Sequence, residues 1–241
     1  FHKNCRTAPR SQQKGVKIYG ATTLQFCALK FYSEPLLLLL GLTKNTDSCV
    51  ESNIHSPSDS TLLWDAVRVL TRLIKCCRDD HGLKVPGYRN HKRRAKRRML
   101  AVLNAKNNEQ RKTAYVDLLK VSQNVLSYAQ AAICAIIART ADPTSFPLYD
   151  AIAHYSNLME KVIDQTHRRV MCDEKVPAQQ KVVSIFEPHT DIIIKDRRET
   201  IYGHKICLTG GASNLILDCV IACGNPADVD LAIPMLDRQK E

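Results

Sequence analysis

The sequence lacks an apolar run of the roughly 20 residues that a membrane-spanning helix requires. Its most membrane-like feature is the leucine run Leu36–Leu40, which lies between Pro35 and Gly41. This run is too short to cross a bilayer, and we expect it to form part of a buried helix or strand. The sequence therefore predicts no membrane partner.

The chain also lacks a signal peptide and any regular spacing of its ten cysteines. Several of these cysteines, including Cys134 and Cys207, lie inside apolar runs, where a free thiol behaves as a small apolar side chain. We therefore expect a reducing, cytoplasmic environment rather than a disulfide framework. A zinc site at Cys76, Cys77 and His81 is not expected, because two adjacent cysteines cannot provide the usual ligand spacing.

Acidic residues are scarce in the first part of the chain. Residues 1–98 contain 19 basic and 7 acidic residues, whereas residues 99–241 contain 16 basic and 17 acidic residues. The surplus behind the net charge of +11 thus lies entirely in the first part. Such an asymmetry favours a polyanionic partner, either a nucleic acid or an anionic membrane surface.

The most basic stretch contains no acidic residue and follows a break at Pro86-Gly87. Its Lys and Arg residues are Arg89, Lys92, Arg93, Arg94, Lys96, Arg97 and Arg98. Clustered Lys and Arg residues bind phosphate by releasing condensed counterions, so the stretch predicts a DNA-binding segment. The alternative is a helical face that is merely solvated. The density of the run favours contact with a polyanion.

Hydrophobic periodicity predicts a helical block followed by a β-rich end. Long helices are expected at residues 58–80, 108–139 and 148–170. Ser58 or Ser60 is the predicted N-cap of the first helix. Beyond Pro177, short β-prone runs are expected at 181–186, 191–195, 204–209 and 214–223, with a helix at 226–238. The last two runs predict an antiparallel hairpin, in which Asp218 is a hydrogen-bonded structural residue.

A candidate metal-binding carboxylate precedes the first helix. Asp47 opens a short strand-like run, and a turn rich in serine and proline separates that run from the helix. A carboxylate on a core strand would supply an oxygen ligand of the kind that Mg²⁺ prefers. The alternative interpretation is that Asp47 caps a turn, since aspartate and serine are ordinary turn residues.

Two blocks of the sequence resemble the DDE transposases of bacterial insertion sequences, which have a ribonuclease-H-like catalytic core. The first block runs from Asp47 to Ser60 and continues through Leu62-Leu63-Trp64-Asp65 and Val67-Arg68-Val69-Leu70. The second runs from Phe186-Glu187-Pro188-His189-Thr190-Asp191 through Tyr202-Gly203-His204-Lys205 to Gly224-Asn225-Pro226-Ala227-Asp228. The blocks occur in the order found in the family, and the resemblance covers roughly residues 45–235.

The resemblance implies an α+β fold with a partial ribonuclease-H-like mixed sheet that a long helical insertion interrupts after the first strand. The segments that follow from it are a basic lead at 1–44, a first core strand at 45–57, a helical insertion at 58–176, and the remaining core strands with a terminal helix at 177–241.

The resemblance also implies a function. Such enzymes cut and join DNA by metal-dependent phosphodiester hydrolysis and strand transfer, with Mg²⁺ as the cofactor and often as homo-oligomers on DNA ends. Asp47 matches the first acidic residue of the DDE set and would be catalytic and metal-binding. The second Asp and the Glu would follow after Glu241, so we expect a fragment that is inactive by itself. Ser48 and Cys49 stand where relatives tend to carry two threonines, which suggests a decayed copy.

Other residues of the second block have competing interpretations. His189 and Asp191 could form a metal-binding pair on one strand face, although we expect them to fix a turn or the strand register. His204 and Lys205 could contact phosphate or face solvent, and Asp228 is expected to cap the last helix. The alternative function is a non-catalytic nucleic-acid-binding module in which the helical block does the work.

Overall fold

The computed structural model describes residues 18–20, 44–139, 146–195, 199–210 and 216–238. The run Leu36–Leu40, most of the basic lead and the turn of the predicted hairpin lie outside these residues. The chain divides into two compact units. A sheet unit takes the described residues up to Ser52 and from Ile193 onward, and a helical unit takes Asn53–Ile192.

Helix α1, Asp59–Asp79, begins where the sequence predicts it. Ser58 is its N-cap: the Ser58 hydroxyl accepts a hydrogen bond from the Thr61 backbone N–H at 3.2 Å, and the Thr61 hydroxyl accepts one from the Ser58 backbone N–H at 3.2 Å. This capping box satisfies two backbone donors at the start of the helix. The predicted apolar face is fully buried and consists of Leu63, Val67, Leu70, Ile74 and Cys77.

Three further helices complete the helical unit, and the two long ones confirm the sequence prediction. They are α2 at Lys92–Leu103, α3 at Asn108–Ala138 and α4 at Phe146–Thr166. A π-helical turn at His167–Met171 continues α4. The core lies among α1, α3 and α4, and its central residues from the latter two are Leu118, Val121, Val125, Ile152, Met159 and Val162.

Among the described helices, α3 alone is long and apolar enough to cross a membrane by length and composition. The sequence did not single this helix out as membrane-like. It packs against α1, α2 and α4, and ten of its 31 residues are buried. A core helix with neighbours on several sides is expected to be apolar over much of its circumference.

The sheet unit is built around one long central strand. The strands are β1 at Ile18–Gly20, β2 at Lys44–Glu51, β3 at Asp191–Lys195, β4 at Glu199–Gly210 and β5 at Ile216–Ala222. Residues 205–210 of β4 pair with both β2 and β5, so β4 lies between them. β1 adds to β2, and β3 pairs with β4. The β4–β5 pair is antiparallel, which confirms the predicted hairpin.

Gly203 allows β4 to approach β2 closely. A Cβ atom at this position would lie 1.9 Å from the carbonyl oxygen of Val50. Beside it, the Ser52 backbone N–H donates to the Tyr202 carbonyl at 2.9 Å. Only a residue without a Cβ fits where the two backbones approach so closely, which gives a physical reason for the glycine in the second block.

Helix α5, Asp228–Arg238, packs on the sheet and contains the predicted internal Pro234. Met235 is buried, and the Thr209 hydroxyl lies 3.9 Å from its sulfur. At the far end of the helix, Nη2 of Arg238 donates to Oδ2 of Asp218 at 2.5 Å. Asp218 is therefore hydrogen-bonded structure, as predicted.

The α+β class is confirmed, and one predicted strand is missing from the described residues. Every strand pair with a defined register is antiparallel, so the described sheet is not shown to be mixed. The run 181–186 forms no strand, because Val182 and Ile185 are buried in the helical core instead. The first strand ends at Glu51 rather than at 57, and residues 177–192 belong to the helical unit.

Candidate metal-binding strand and nucleic-acid interface

Asp47 is the fourth of the eight residues of β2. Its backbone pairs with Cys207 of β4, and Cys207 pairs in turn with Val220 of β5. Asp47 therefore lies inside a strand beside the β4–β5 hairpin, and not in the turn that the alternative interpretation requires. Cys207 is only 5% exposed, so this part of β4 contributes to the interior of the sheet unit.

Lys205 is a buried cation next to this position, and its role differs from both expectations. It lies opposite Cys49, and it is only 2% exposed. Its Nζ donates to the Pro226 carbonyl oxygen at 2.7 Å and forms an ion pair with Asp228. Lys205 thus neither faces solvent nor presents its charge to phosphate. Asp228 is the first residue of α5 rather than its cap, and it joins the helix to the sheet through Lys205.

The acidic residues of the first block that follow β2 are structural. Asp59 is buried and accepts hydrogen bonds from Nε2 of Gln165 at 2.7 Å and Nη1 of Arg169 at 2.8 Å. Asp65 is also buried, and its carboxylate pairs with Arg68 at 2.9 Å. A buried carboxylate needs such partners, because burial without them would be costly. These acids hold α1 in the helical unit.

A magnesium site at Asp47 would need ligands beyond that residue. Magnesium requires octahedral oxygen coordination, and proteins commonly supply one or two carboxylates, with substrate phosphate and water completing the set. One carboxylate position on a core strand fits part of that requirement. The described residues contain no group of three His, Cys, Asp or Glu side chains that could hold a metal, so neither His189 with Asp191 nor the Cys76-Cys77 pair forms such a cluster.

Helix α2 carries the basic stretch. Its buried residues Ala95, Met99 and Val102 are spaced by four and three positions and form one inward stripe. The predicted DNA-binding residues are all exposed and comprise Arg89, Lys92, Arg93, Arg94, Lys96, Arg97 and Arg98. The first turn contains no acidic residue. Cations at a helix N-terminus oppose the helix dipole, so this arrangement lowers helix stability while it concentrates positive potential.

Asp117 of α3 binds two of these arginines. It pairs with the Nη2 of Arg94 and with the Nε of Arg98. Both arginines are about half exposed, whereas the Asp117 side chain is 20% exposed. The hydrogen bond from Arg94 lowers the pKa of Asp117, and Arg98 lowers it further. Asp117 is thus held as a carboxylate, and one helix is joined to the next by two charged bonds.

The remaining four cations of α2 have no such partner. Lys92, Arg93, Lys96 and Arg97 form no ion pair with an acidic residue in the part of the chain that the structure describes. An exposed and uncompensated cation keeps its full charge available to a partner in solution. These four side chains, together with Arg89, form the candidate nucleic-acid interface.

An aromatic cluster supports the start of α2. The His91 ring stacks on Tyr128 of α3 with centroids 5.9 Å apart, and Tyr88 meets Tyr128 edge to face at 5.9 Å. Arg78 of α1 lies over the Tyr88 ring at 4.7 Å. Burial lowers the pKa of His91, and the nearby Arg94 lowers it further, so the neutral imidazole is favoured.

The sequence located the basic stretch, but it did not predict that Asp117 pairs with two of its arginines. Asp117 lies on a different helix, and no local spacing connects it to Arg94 and Arg98. The four-residue spacing of Arg94 and Arg98 places them on one helical face, but Arg93 and Arg97 have the same spacing, so the sequence carries no sign of the pairing. Comparison of the chain with protein-family models, with curated proteins and with solved structures finds no match in any of the three.

Proposed function

We propose that this chain is part of a DDE-type DNA transposase. Its sheet unit would contribute the strand that carries the first metal-binding carboxylate, and its helical unit would bind DNA. The observation that carries the proposal is the pairing of β2, with Asp47 at its middle, to the β4–β5 hairpin across a helical unit inserted in the sequence. The two blocks of the family resemblance supply the paired strands.

Asp47 would hold one Mg²⁺ ion, with other acidic residues and the DNA phosphate completing the coordination. Such an ion, when bound, would supply positive charge beside the phosphate oxygens and would activate the attacking oxygen. The chain's own contribution is to fix the carboxylate on a strand between neighbours rather than on a loop. By itself the chain is expected not to cut DNA, because one carboxylate is a third of the acidic set of the family.

The proposed partner is DNA, in the cytoplasm, with a homo-oligomer assembled on DNA ends in the intact enzyme. The eight cysteines in the described residues are free thiols, as expected in a reducing compartment. The four uncompensated cations of α2 supply the charge that DNA binding requires. The buried apolar residues of α2 already pack inside the helical unit.

A non-catalytic nucleic-acid-binding module is the second candidate. It is favoured by the same four cations and requires nothing of Asp47. Under this proposal the sheet unit is scaffold, and divalent metal has no specific effect on DNA binding.

Metal-linked DNA binding separates the two candidates. The affinity of the chain for a duplex is measured in Mg²⁺ and in EDTA at equal ionic strength, and the ratio of the two is compared between proteins. For a transposase fragment, Asp47→Asn lowers this ratio by roughly tenfold, equivalent to about 1.4 kcal/mol. The matched control is Glu51→Gln, an exposed acid on the same strand, which should leave the ratio unchanged.

Equal ratios in the unmodified chain, Asp47→Asn and Glu51→Gln would reject the transposase proposal and leave the binding module. Circular dichroism of each variant checks that the strand substitution has not unfolded the sheet unit. The affinity for DNA in EDTA should come from α2 and not from Asp47. If Asp47→Asn lost DNA binding in EDTA while Glu51→Gln kept it, that result would also contradict a metal role for Asp47.

A further inference from the structure

The six cations of α2 fall into two sets with different surroundings. Arg94 and Arg98 are paired with Asp117 of α3, and the other four have no acidic partner among the described residues. The division cannot be read from residue type, because each set contains two arginines at four-residue spacing. Any contribution of α2 to binding should therefore be unequal between the two arginine pairs.

Helix geometry separates the two sets in space. Successive residues rotate by about 100° around the axis, and residues four apart lie about 6 Å apart along it. Arg93 and Arg97 thus lie opposite the buried stripe, while Arg94 and Arg98 lie on the flank next to α3. Lys92 and Lys96 occupy the other flank. The four uncompensated cations form two adjacent rows on the solvent side.

We propose that α2 binds the phosphate backbone of duplex DNA through Lys92, Arg93, Lys96 and Arg97, and that Asp117 limits the affinity by occupying Arg94 and Arg98. This inference rests on the proposed DNA-binding function and names the residues that carry it out. Asp117 is then a positioning residue that acts through the two arginines and does not touch DNA.

The exposed rows contain only Lys and Arg in the first two turns, which are the usual side chains for phosphate contact, and they lack the Asn or Gln that reads adenine. Phosphate contacts fix orientation and carry no sequence information. The helix is therefore expected to bind duplexes of different sequence with similar affinity.

An anionic membrane surface is the competing polyanion, and the packing of α2 disfavours it. A helix that lies in a membrane interface inserts an apolar face opposite its cations. The apolar face of α2 is already buried in the protein, through Ala95, Met99 and Val102. Only Leu100 and Leu103, in its last turn, are exposed large apolar residues.

The number of phosphate contacts is measurable from the salt dependence of binding. The logarithm of the binding constant falls with the logarithm of the salt concentration with a slope of about −0.9 for each phosphate neutralised on duplex DNA. Four contacts from α2 should contribute about −3.6 to the slope, and release of Arg94 and Arg98 should make it steeper.

The test compares two matched double variants of the full chain by fluorescence anisotropy with a labelled duplex over a range of salt. Arg93→Ala with Arg97→Ala should make the slope shallower by about 1.8 and weaken binding at least tenfold. Arg94→Ala with Arg98→Ala removes the same charge at the same spacing and should make the slope shallower by a smaller amount, because Asp117 already offsets one of these two charges. Asp117→Asn should tighten binding and make the slope steeper.

If the slope changed equally in the two double variants, or did not change in Asp117→Asn, the proposed difference between the two sets of cations would be wrong. The proposal that the chain binds DNA would still stand. If the unmodified chain shows no salt-dependent DNA binding, both this inference and the proposed function fail. Stronger binding to phosphatidylserine vesicles than to duplex DNA would assign the surface to a membrane and overturn the inference. Thermal melting of each variant confirms that all are compared as folded proteins.

Discussion

Replacing Gly203 with alanine tests how β2, the strand of Asp47, is held against β4. The added Cβ would lie 1.9 Å from the Val50 carbonyl oxygen and 2.8 Å from the Val50 carbonyl carbon. Both are backbone atoms, so no side chain can rotate away. The strands must separate by more than roughly 1 Å before these atoms approach van der Waals distance.

The cost follows from what this separation breaks. The adjacent hydrogen bond from Ser52 to Tyr202 is 2.9 Å long and would be stretched past the limit of a useful bond. Loss of one or two ladder bonds costs about 0.5–1.5 kcal/mol each, and overpacking of a fitted site commonly costs about 1–3 kcal/mol in total. We expect Gly203→Ala to destabilise the sheet unit by about 1–3 kcal/mol.

Hydrogen exchange measured by mass spectrometry is the suitable assay, because the two units need not unfold together. Peptides that cover Lys44–Ser52 should exchange about 5- to 150-fold faster in Gly203→Ala, while peptides from α1 and α3 should be unchanged. Thr200→Ala, an exposed change on the same strand, is the control. Unchanged protection of β2 in Gly203→Ala would refute the argument from close approach.

Three further predictions concern the helical unit. Ser58→Ala removes the N-cap of α1 and should lower the free energy of unfolding by about 0.5–2 kcal/mol, measured by urea denaturation; no change would contradict the capping role. Gln165→Leu leaves the buried Val182 N–H, now bonded at 2.8 Å, without a partner and should cost about 1–3 kcal/mol, seen as a lower melting temperature; an unchanged melting temperature would argue against this bond. The pairing of Arg94 with Asp117 lowers the pKa of that carboxyl below its ordinary value of 3.8. This contribution to stability is present above pH 3.8 and is lost as the pH falls through the lowered pKa, so Asp117→Asn should flatten the acid limb of a stability–pH curve; identical limbs would refute it.

Helices were predictable because their signals are local. The serine cap, the apolar spacing and the end of α1 all lie within the segment that they define, and the observed helix differs from the expected one by a single residue at each end. The β4–β5 hairpin was similarly predictable from two β-prone runs around a glycine-rich turn.

Failures arose where the outcome depends on distant parts of the chain. The run at 181–186 is short and apolar, and such runs fit a strand or an irregular core segment equally well. Its conformation depends on Gln165, whose side-chain oxygen accepts a hydrogen bond from the Val182 N–H in place of a neighbouring strand. The burial of Lys205 depends likewise on Asp228, which the sequence does not connect to it.

The candidate sites show the same division. The exposure of the basic residues on α2 could be predicted from their density. Which of them form ion pairs depends on Asp117, which lies on another helix. The location of Asp47 on a strand was predictable from local pattern. Its pairing with Cys207 could not be predicted in the same way, because no short-range signal spans the helical unit.

The antiparallel pairing of β2 with β4 also affects the order in which the two units can fold during synthesis. β2 leaves the ribosome long before β4, which covers its other edge, since the whole helical unit is translated between them. Contacts so distant in sequence form late, and an unpaired strand can meanwhile associate with other chains. Ribosome-bound chains that end before Glu199 should therefore contain a folded helical unit and a protease-sensitive β2.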